Sequence, residues 1–276
     1  MTVTERITQR IKSGDRELWV ERRGQGPDVL LIAGLSDPVE AWELQLSGLS
    51  DRYRLTAFDN AGAGRSPLPT GPFSVATMAD DAAAVLRALE VPNAHVAGFS
   101  GGSAIAQELA LRHPELVRSL VLVSTWAQPD PYFRTMLGHW RWLADSAPSE
   151  RAMLEAFFLW VYTPRAHADG TVDQIIDEAL AFPHPQSAEA FQRQIDAFMP
   201  HDTLDRLADI SVATLVMAGG LDLICQPRFG RVVAEGIPGA RLEVLPDEAH
   251  QPFQEAPAQF NASVDAFWRQ VEADGR

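Results

Sequence analysis

Short apolar runs alternate with amphipathic segments along most of the chain. The first two runs alternate apolar and polar residues over 7–12 and 17–22, and the polar turn between them predicts an antiparallel hairpin. Six later apolar runs predict further strands, at 29–33, 53–58, 94–99, 117–124, 214–218 and 240–245. Residues at helical spacing lie between several of them, as around 39–49 and at 78–89. This alternation indicates an α/β fold in which one mostly parallel sheet of eight strands carries helices on both faces.

The pattern changes after the sixth predicted strand. Residues 126–203 contain no convincing strand, and four of the seven tryptophans of the chain lie there together with many phenylalanines. We therefore predict three segments: the first part of the core at 1–125, a helical insertion at 126–203, and the second part of the core at 204–276. Aromatic side chains dominate ordinary packing, so most of these rings are expected to join the insertion to the core.

A serine stands between glycines where the apolar run 94–99 gives way to a helical pattern. Gly98, Ser100 and Gly102 form a G-x-S-x-G motif, which nominates Ser100 as a nucleophile. The glycines leave room for a turn so sharp that the serine backbone is strained. Such a turn also points the first helical amides at the site, and the amide of Gly101 is expected to donate to an oxyanion.

A serine hydroxyl needs a base, and the base needs an acid that fixes its tautomer. Asp222 follows the run 214–218, and His250 follows the run 240–245. Because ligands gather at the carboxyl ends of parallel strands, Ser100, Asp222 and His250 are predicted to converge. Asp247 and Glu248 are nearer to His250 in sequence, but an acid on a separate loop reaches the far nitrogen of the imidazole more easily.

These motifs and several others are similar to those of the α/β-hydrolase family along nearly the whole chain. The matching stretches are 30–35, 58–66, the Ser100 motif, 112–115, 219–222 and 248–250. Within that family the chain resembles small, capped bacterial esterases. It departs from the family at Ala33, where a histidine is usual, and at Ala61, where an arginine is usual.

The resemblance implies roles for further residues. It implies that the amide of Leu35 is the second oxyanion donor and that the insertion is a cap over the nucleophile. Gly34 lets the backbone approach the substrate, and Ser36 could either line the site or cap the turn before Pro38. The residues predicted to contact substrate are Gly34, Ser36, Trp126, Phe133, Trp140, Phe158 and Trp160.

Composition narrows the partners that we expect. A formal net charge of −14 argues against nucleic acid or an anionic membrane as a partner, and no apolar run approaches the length of a membrane span. Cys225 is the only cysteine, and no secretory signal is visible, so a reducing, cytoplasmic setting is expected. The histidines show no metal-binding spacing, and no cofactor is expected. The sequence leaves a monomer and a homodimer equally open.

The sequence thus predicts a serine hydrolase, a carboxylesterase that acts on small to medium apolar acids through an acyl-Ser100 intermediate. An enol-lactone or carbon–carbon bond hydrolase of aromatic degradation is the alternative, and it should need a cation to hold a substrate carboxylate. Five arginines are candidates for that cation: Arg134, Arg141, Arg151, Arg165 and Arg193. A third hypothesis is a protein of the same fold that binds a ligand without catalysis.

Overall fold

The computed structural model describes residues 5–71 and 73–275. Its single sheet has eight strands in the order β1-β2-β4-β3-β5-β6-β7-β8. The strands are β1 (Arg6–Ser13), β2 (Arg16–Arg23), β3 (Asp28–Ile32), β4 (Arg54–Phe58), β5 (Ala94–Phe99), β6 (Val117–Val123), β7 (Ala213–Gly219) and β8 (Arg241–Leu245). The two antiparallel pairings are those of β2 with β1 and with β4, and strands β3 to β8 form a parallel sheet.

Helices cover both faces of this sheet. They are α1 (Glu43–Leu49), α2 (Val75–Ala88), α3 (Gly101–Arg112), α4 (Pro131–Ser146), α5 (Glu150–Val161), α6 (Pro164–Ala168), α7 (Thr171–Ala181), α8 (Ala188–Phe198), α9 (Pro227–Gly236), α10 (Pro252–Glu255) and α11 (Pro257–Asp274). One apolar cluster joins the sheet to α2, α3 and α9, and a second joins its other face to α1, α10 and α11. The predicted α/β-hydrolase architecture is confirmed.

Burial on both faces explains why the central strands read as continuous apolar runs. Every residue of β3 and of β5 is buried, as expected for strands inside a parallel sheet.

The ends of the helices were less well predicted than the strands. The helix predicted at 78–89 begins at Val75, because the Ser74 hydroxyl accepts from the Thr77 amide and the Thr77 hydroxyl accepts from the Ser74 amide. The helix predicted at 39–49 is a 3₁₀ turn followed by α1.

Five helices, α4 to α8, lie between β6 and β7, and we call residues 131–198 the helical insertion. Four of these helices begin at a residue whose side chain accepts a backbone N–H: Asp130, Ser149, Thr163 and Ser187. The predicted limits of a separate cap domain, 126–203, stay a prediction. Residues 1–4, 72 and 276 of the predicted core segments lie outside the described residues. Within the described residues, no helix has the length and apolar character that crossing a membrane requires.

Candidate active site

The turn between β5 and α3 holds Ser100 in a left-handed conformation, with φ of 50°. A Cβ atom on Gly98 would lie 2.3 Å from the carbonyl oxygen of Gly102, and one on Gly102 would lie 2.1 Å from that of Ile32. Both positions therefore exclude any side chain. The Ser100 amide donates to the Val123 carbonyl at 2.9 Å. This bond, together with the close approach to β3, holds the hydroxyl at the carboxyl edge of the sheet.

The loops after β7 and β8 bring an acid and a histidine to this serine. His250 Nε2 lies 3.0 Å from Ser100 Oγ, and His250 Nδ1 lies 2.8 Å from Asp222 Oδ2. The other Asp222 oxygen, Oδ1, accepts from the amides of Ile224 and Cys225 at 2.8 and 2.9 Å. Because an ionised carboxylate only accepts, Nδ1 carries the proton and Nε2 is left to accept from the serine hydroxyl.

The acid that contacts the imidazole is Asp222 and neither of its sequence competitors. The carboxylate of Glu248 pairs instead with Arg165 at 2.8 Å. Asp222 is only 2% exposed and His250 only 4% exposed. Burial strengthens their interaction, since little solvent screens it. The predicted convergence of Ser100, Asp222 and His250 is thus present in the geometry, while their catalytic roles stay a proposal.

Two backbone amides, those of Leu35 and Gly101, were predicted to bind an oxyanion. Leu35 lines the cavity above Ser100, and Gly101 is the first residue of α3. Among the described residues, no acceptor contacts either amide. At Gly34 a Cβ atom would lie 3.0 Å from the ring of Phe99, so the loop packs too closely for a side chain there. Both donors are therefore available to a substrate oxygen.

Gln194 of α8 supports this loop, and sequence reasoning missed it. Its Oε1 accepts from the Ser36 amide at 3.0 Å, and its Nε2 donates to the Ala61 carbonyl at 3.1 Å. Gln194 is fully buried, and Ser36 has a left-handed backbone with φ of 71°. The helical insertion therefore holds the strained turn beside Leu35. A glutamine in an amphipathic helix gives no sequence signal for such a role.

A cavity of about 1140 Å³ lies over Ser100 and His250. Its apolar lining from the insertion includes Trp140, Met153, Leu154, Phe157, Phe158, Phe182 and Phe191. Of the predicted contact residues, Ser36, Trp140 and Phe158 line the cavity. Its lining also includes the polar groups of Gln251 and Gln254. The cavity can hold a mainly apolar molecule with its reacting carbonyl at Ser100.

Three of the predicted contact aromatics have other surroundings in the structure. Among the described residues the lining does not include Trp126, Phe133 or Trp160. Trp126 and Phe133 pack edge to face in the core, with ring centroids 4.9 Å apart. Trp160, near the end of α5, is partly buried and packs against the apolar core cluster. Gly34 is likewise absent from the lining and supports its neighbour Leu35.

One carboxyl group of the cavity is electrostatically unusual. Burial raises the pKa of Asp37 to about 7, although the charge of His250 and the amide of Gly34 both lower that pKa. Among the described lining residues there is no arginine or lysine. The cavity is therefore apolar and acidic, without a cation for an anionic substrate. In the described chain, no group of three or more histidine, cysteine or acidic residues has a geometry that could hold a metal ion.

Comparison with known proteins shows the family to which this chain belongs. The model of the alpha/beta hydrolase fold family matches residues 27–257. A protein of Azorhizobium caulinodans, provisionally named carbamate hydrolase RutD, is 36% identical over 260 residues, which are 94% of this chain and 97% of that protein. The relative is thus similar along its whole length.

Two solved structures resemble the fold closely. A thermophilic esterase from Thermogutta terrifontis is 25% identical, with a TM-score of 0.82 over 97% of this chain and 99% of its own. The enol-lactonase from Burkholderia xenovorans has a TM-score of 0.86 over 95% of this chain and 100% of its own, at 24% identity. The second similarity is one of fold alone.

Proposed function

The chain belongs to the α/β-hydrolase family and is a hydrolase of that fold, and from this premise we propose that it is a carboxylesterase with a catalytic serine. The apolar lining of the cavity favours esters of small to medium apolar acids as its substrates. The observation that carries the proposal is the pair of contacts that His250 makes, 3.0 Å to Ser100 and 2.8 Å to Asp222, on the floor of an apolar cavity.

The first half of the reaction forms the acyl-enzyme. His250 takes the Ser100 proton while Oγ attacks the ester carbonyl, and Asp222 stabilises the imidazolium that results. The negative oxygen of the tetrahedral intermediate accepts from the amides of Leu35 and Gly101. Each such donor typically contributes about 2.7–4 kcal/mol to transition-state stabilisation. His250 then gives its proton to the leaving alkoxide, and the acyl group stays on Ser100.

The second half releases the acid. His250 takes a proton from a water molecule, which attacks the acyl-Ser100 carbonyl from the position that the alcohol has left. The tetrahedral intermediate uses the same two amides and collapses when His250 returns the proton to Ser100 Oγ. The free acid leaves and the enzyme is restored, so the cycle needs no cofactor.

The lining of the cavity bears on the choice of substrate. The enol-lactone and carbon–carbon alternative requires a cation for a substrate carboxylate, yet none of the five candidate arginines lines the cavity. Arg141, Arg151 and Arg165 form ion pairs with Asp196, Asp177 and Glu248, in that order. Arg193 donates to backbone carbonyls of residues 69 and 71. These contacts favour uncharged esters over carboxylate-bearing substrates.

A carbamate is the second candidate substrate, favoured by the name of the 36% identical relative. The same triad can attack a carbamate carbonyl and leave a carbamoyl group on Ser100. However, a cavity of about 1140 Å³ lined by aromatic rings is much larger than an unsubstituted carbamate needs. We therefore place carboxylic esters first.

The test is turnover of p-nitrophenyl acetate, butyrate and octanoate, each compared with the Ser100→Ala variant. We expect wild-type hydrolysis and a loss of at least about 10³-fold in the variant, because the covalent route is removed. The chain-length preference reports the depth of the cavity. A folded wild-type protein that hydrolyses none of the three, but does hydrolyse phenyl carbamate, would favour the second candidate. No turnover of any of them would favour a binding protein.

A further inference from the structure

The backbone that carries His250 is attached to the helical insertion. The amide of His250 donates to the carbonyl of Val161, the last residue of α5, at 3.0 Å. On its other side, the carbonyl of His250 accepts from the Ser124 hydroxyl at 2.8 Å. One of the two backbone anchors of the histidine is therefore a residue of the insertion rather than of the core.

Glu255, at the end of α10, strengthens this attachment. Its Oε1 accepts from the amide and the hydroxyl of Thr163, at 3.0 and 2.6 Å. Its Oε2 accepts from the amide of Ala249, the residue before the histidine, at 3.0 Å. A single carboxylate thus joins the start of α6 in the insertion to the loop that carries His250.

Neighbouring side chains make parallel contacts. The hydroxyl of Tyr162 donates to Gln254 Oε1 at 2.8 Å, and Arg165 forms an ion pair with Glu248 at 2.8 Å. Residues 161–165 therefore contact residues 248–255 through five side-chain or backbone groups. We call this set of contacts the hinge clamp. Within the described residues, Glu255 is the clamp residue whose side chain bonds both to the insertion and to a residue adjacent to His250, which makes it the centre of the clamp.

We propose that Glu255 is a positioning residue that aligns His250 through the hinge clamp, so that the insertion which encloses the cavity also holds the imidazole between Ser100 and Asp222. The reason is geometric. Proton transfer requires the imidazole within hydrogen-bond reach of both partners, and a displacement of about 1 Å can lower the rate about 100-fold. Without the hydrogen bond between the Ala249 amide and Glu255, fewer contacts hold the His250 loop against such a displacement.

This inference rests on the proposed esterase function and is tested on the full-length protein with Glu255→Gln. The amide keeps the size of the side chain but can accept on one side only. Competent sites are counted by titration with diethyl p-nitrophenyl phosphate, and kcat for p-nitrophenyl butyrate is expressed per titrated site. We expect kcat per site to fall about 10- to 100-fold, with KM changed less than about twofold, because the cavity lining is intact.

Two further variants separate positioning from folding. Thr163→Ser keeps the hydroxyl that donates to Glu255, so kcat per site should stay within about twofold of the wild-type value. Thr163→Val removes this hydroxyl, so kcat per site should fall about three- to tenfold. Asp196→Asn makes the same carboxylate-to-amide change elsewhere in the insertion, at an exposed ion pair with Arg141. It should leave kcat per site unchanged. Thr163→Val also keeps the test decisive if Glu255→Gln does not fold.

The outcomes are distinguishable. An unchanged kcat per titrated site in Glu255→Gln and Thr163→Val, with only a lower melting temperature or fewer titrated sites, would mean that the clamp is merely structural and would overturn the proposal. Wild-type protein that neither reacts with the phosphate ester nor hydrolyses the butyrate would refute the esterase function itself, and the inference would fall with it.

Discussion

Asp37 is a residue whose acid–base chemistry the cavity changes. Asp37 lines the cavity together with His250, and among the described lining residues there is no arginine or lysine. Burial without a cationic partner raises the pKa of Asp37 to about 7. A partly buried acid of this kind opposes folding once it is ionised, and such groups cluster at functional sites.

We predict that Asp37→Asn stabilises the protein increasingly as the pH rises. Between pH 4 and 7 the unfolded chain has lost the Asp37 proton while the folded protein keeps it, so Asp37 lowers the free energy of unfolding as pH increases. At about 1.4 kcal/mol per pKa unit, the gain from the variant at pH 8 is up to about 4 kcal/mol. Urea unfolding at pH 5 and pH 8, with Asp196→Asn as an exposed control, measures it. A gain that is equal at both pH values would contradict the raised pKa.

Sequence reasoning predicted that Ser100, Asp222 and His250 lie together, but it had no means to find Asp37. Ser100, Asp222 and His250 each follow a predicted strand, and their residue types and order match the pattern of a nucleophile, an acid and a base. Asp37 lies in a polar turn before a proline, where an acid is ordinary. Its pKa depends on the surfaces that α5 and the His250 loop bring over it, and a local pattern does not contain that information. Gln194 was missed for the same reason.

Among the elements, the serine turn was predictable because its constraints are local. Gly98 must lack a side chain because the start of α3 lies against it, and Gly102 must lack one because α3 lies against the end of β3. The faces of the insertion helices were less predictable. Helical periodicity identifies a stripe on α5, but only tertiary packing decides that Phe158 faces the cavity and Trp160 does not. Trp126 and Phe133 show the same limit, since aromatic residues serve a core as readily as a cavity.

We predict that Gly102→Ala disables the serine turn. The new Cβ atom would lie 2.1 Å from the Ile32 carbonyl oxygen, so β3 and α3 must move apart. The expected effects are a loss of about 1–3 kcal/mol in the free energy of unfolding and a fall of at least about tenfold in kcat for the butyrate ester. Gly138→Ala is the matched control, because the same atom on α4 meets nothing within 4 Å and should stabilise that helix slightly. Equal behaviour of the two variants would show that the turn tolerates a side chain.

At the scale of the whole molecule, the net charge and the charged groups of the cavity lining have the same negative sign. The chain carries a formal net charge of −14, and the described cavity lining adds acids without arginine or lysine. The field at the cavity mouth is therefore expected to repel anionic ligands. Sequence reasoning left the choice between uncharged esters and carboxylate-bearing substrates open. It could name five candidate arginines but could not tell whether any of them lines the cavity.

We predict that kcat/KM for p-nitrophenyl butyrate exceeds that for p-nitrophenyl hemisuccinate by at least about tenfold at pH 8 and low salt. The hemisuccinate has a similar acyl length but ends in a carboxylate, which meets acidic groups in the cavity and no cation. Added salt should narrow the difference, since it screens the repulsion. Rates are taken above the uncatalysed hydrolysis of each ester. Equal or greater efficiency with the hemisuccinate would favour a carboxylate-bearing substrate.

The central claim is that Ser100 carries the acyl group during turnover. The most direct measurement mixes the protein with p-nitrophenyl butyrate, quenches the reaction in acid within the first turnovers, and locates the butyryl group by peptide mass spectrometry. We expect up to one butyryl group per protein, on the peptide that contains Ser100, and none at that peptide in Ser100→Ala. Turnover by the wild-type protein with the butyryl group on a different residue would contradict a serine mechanism at this site.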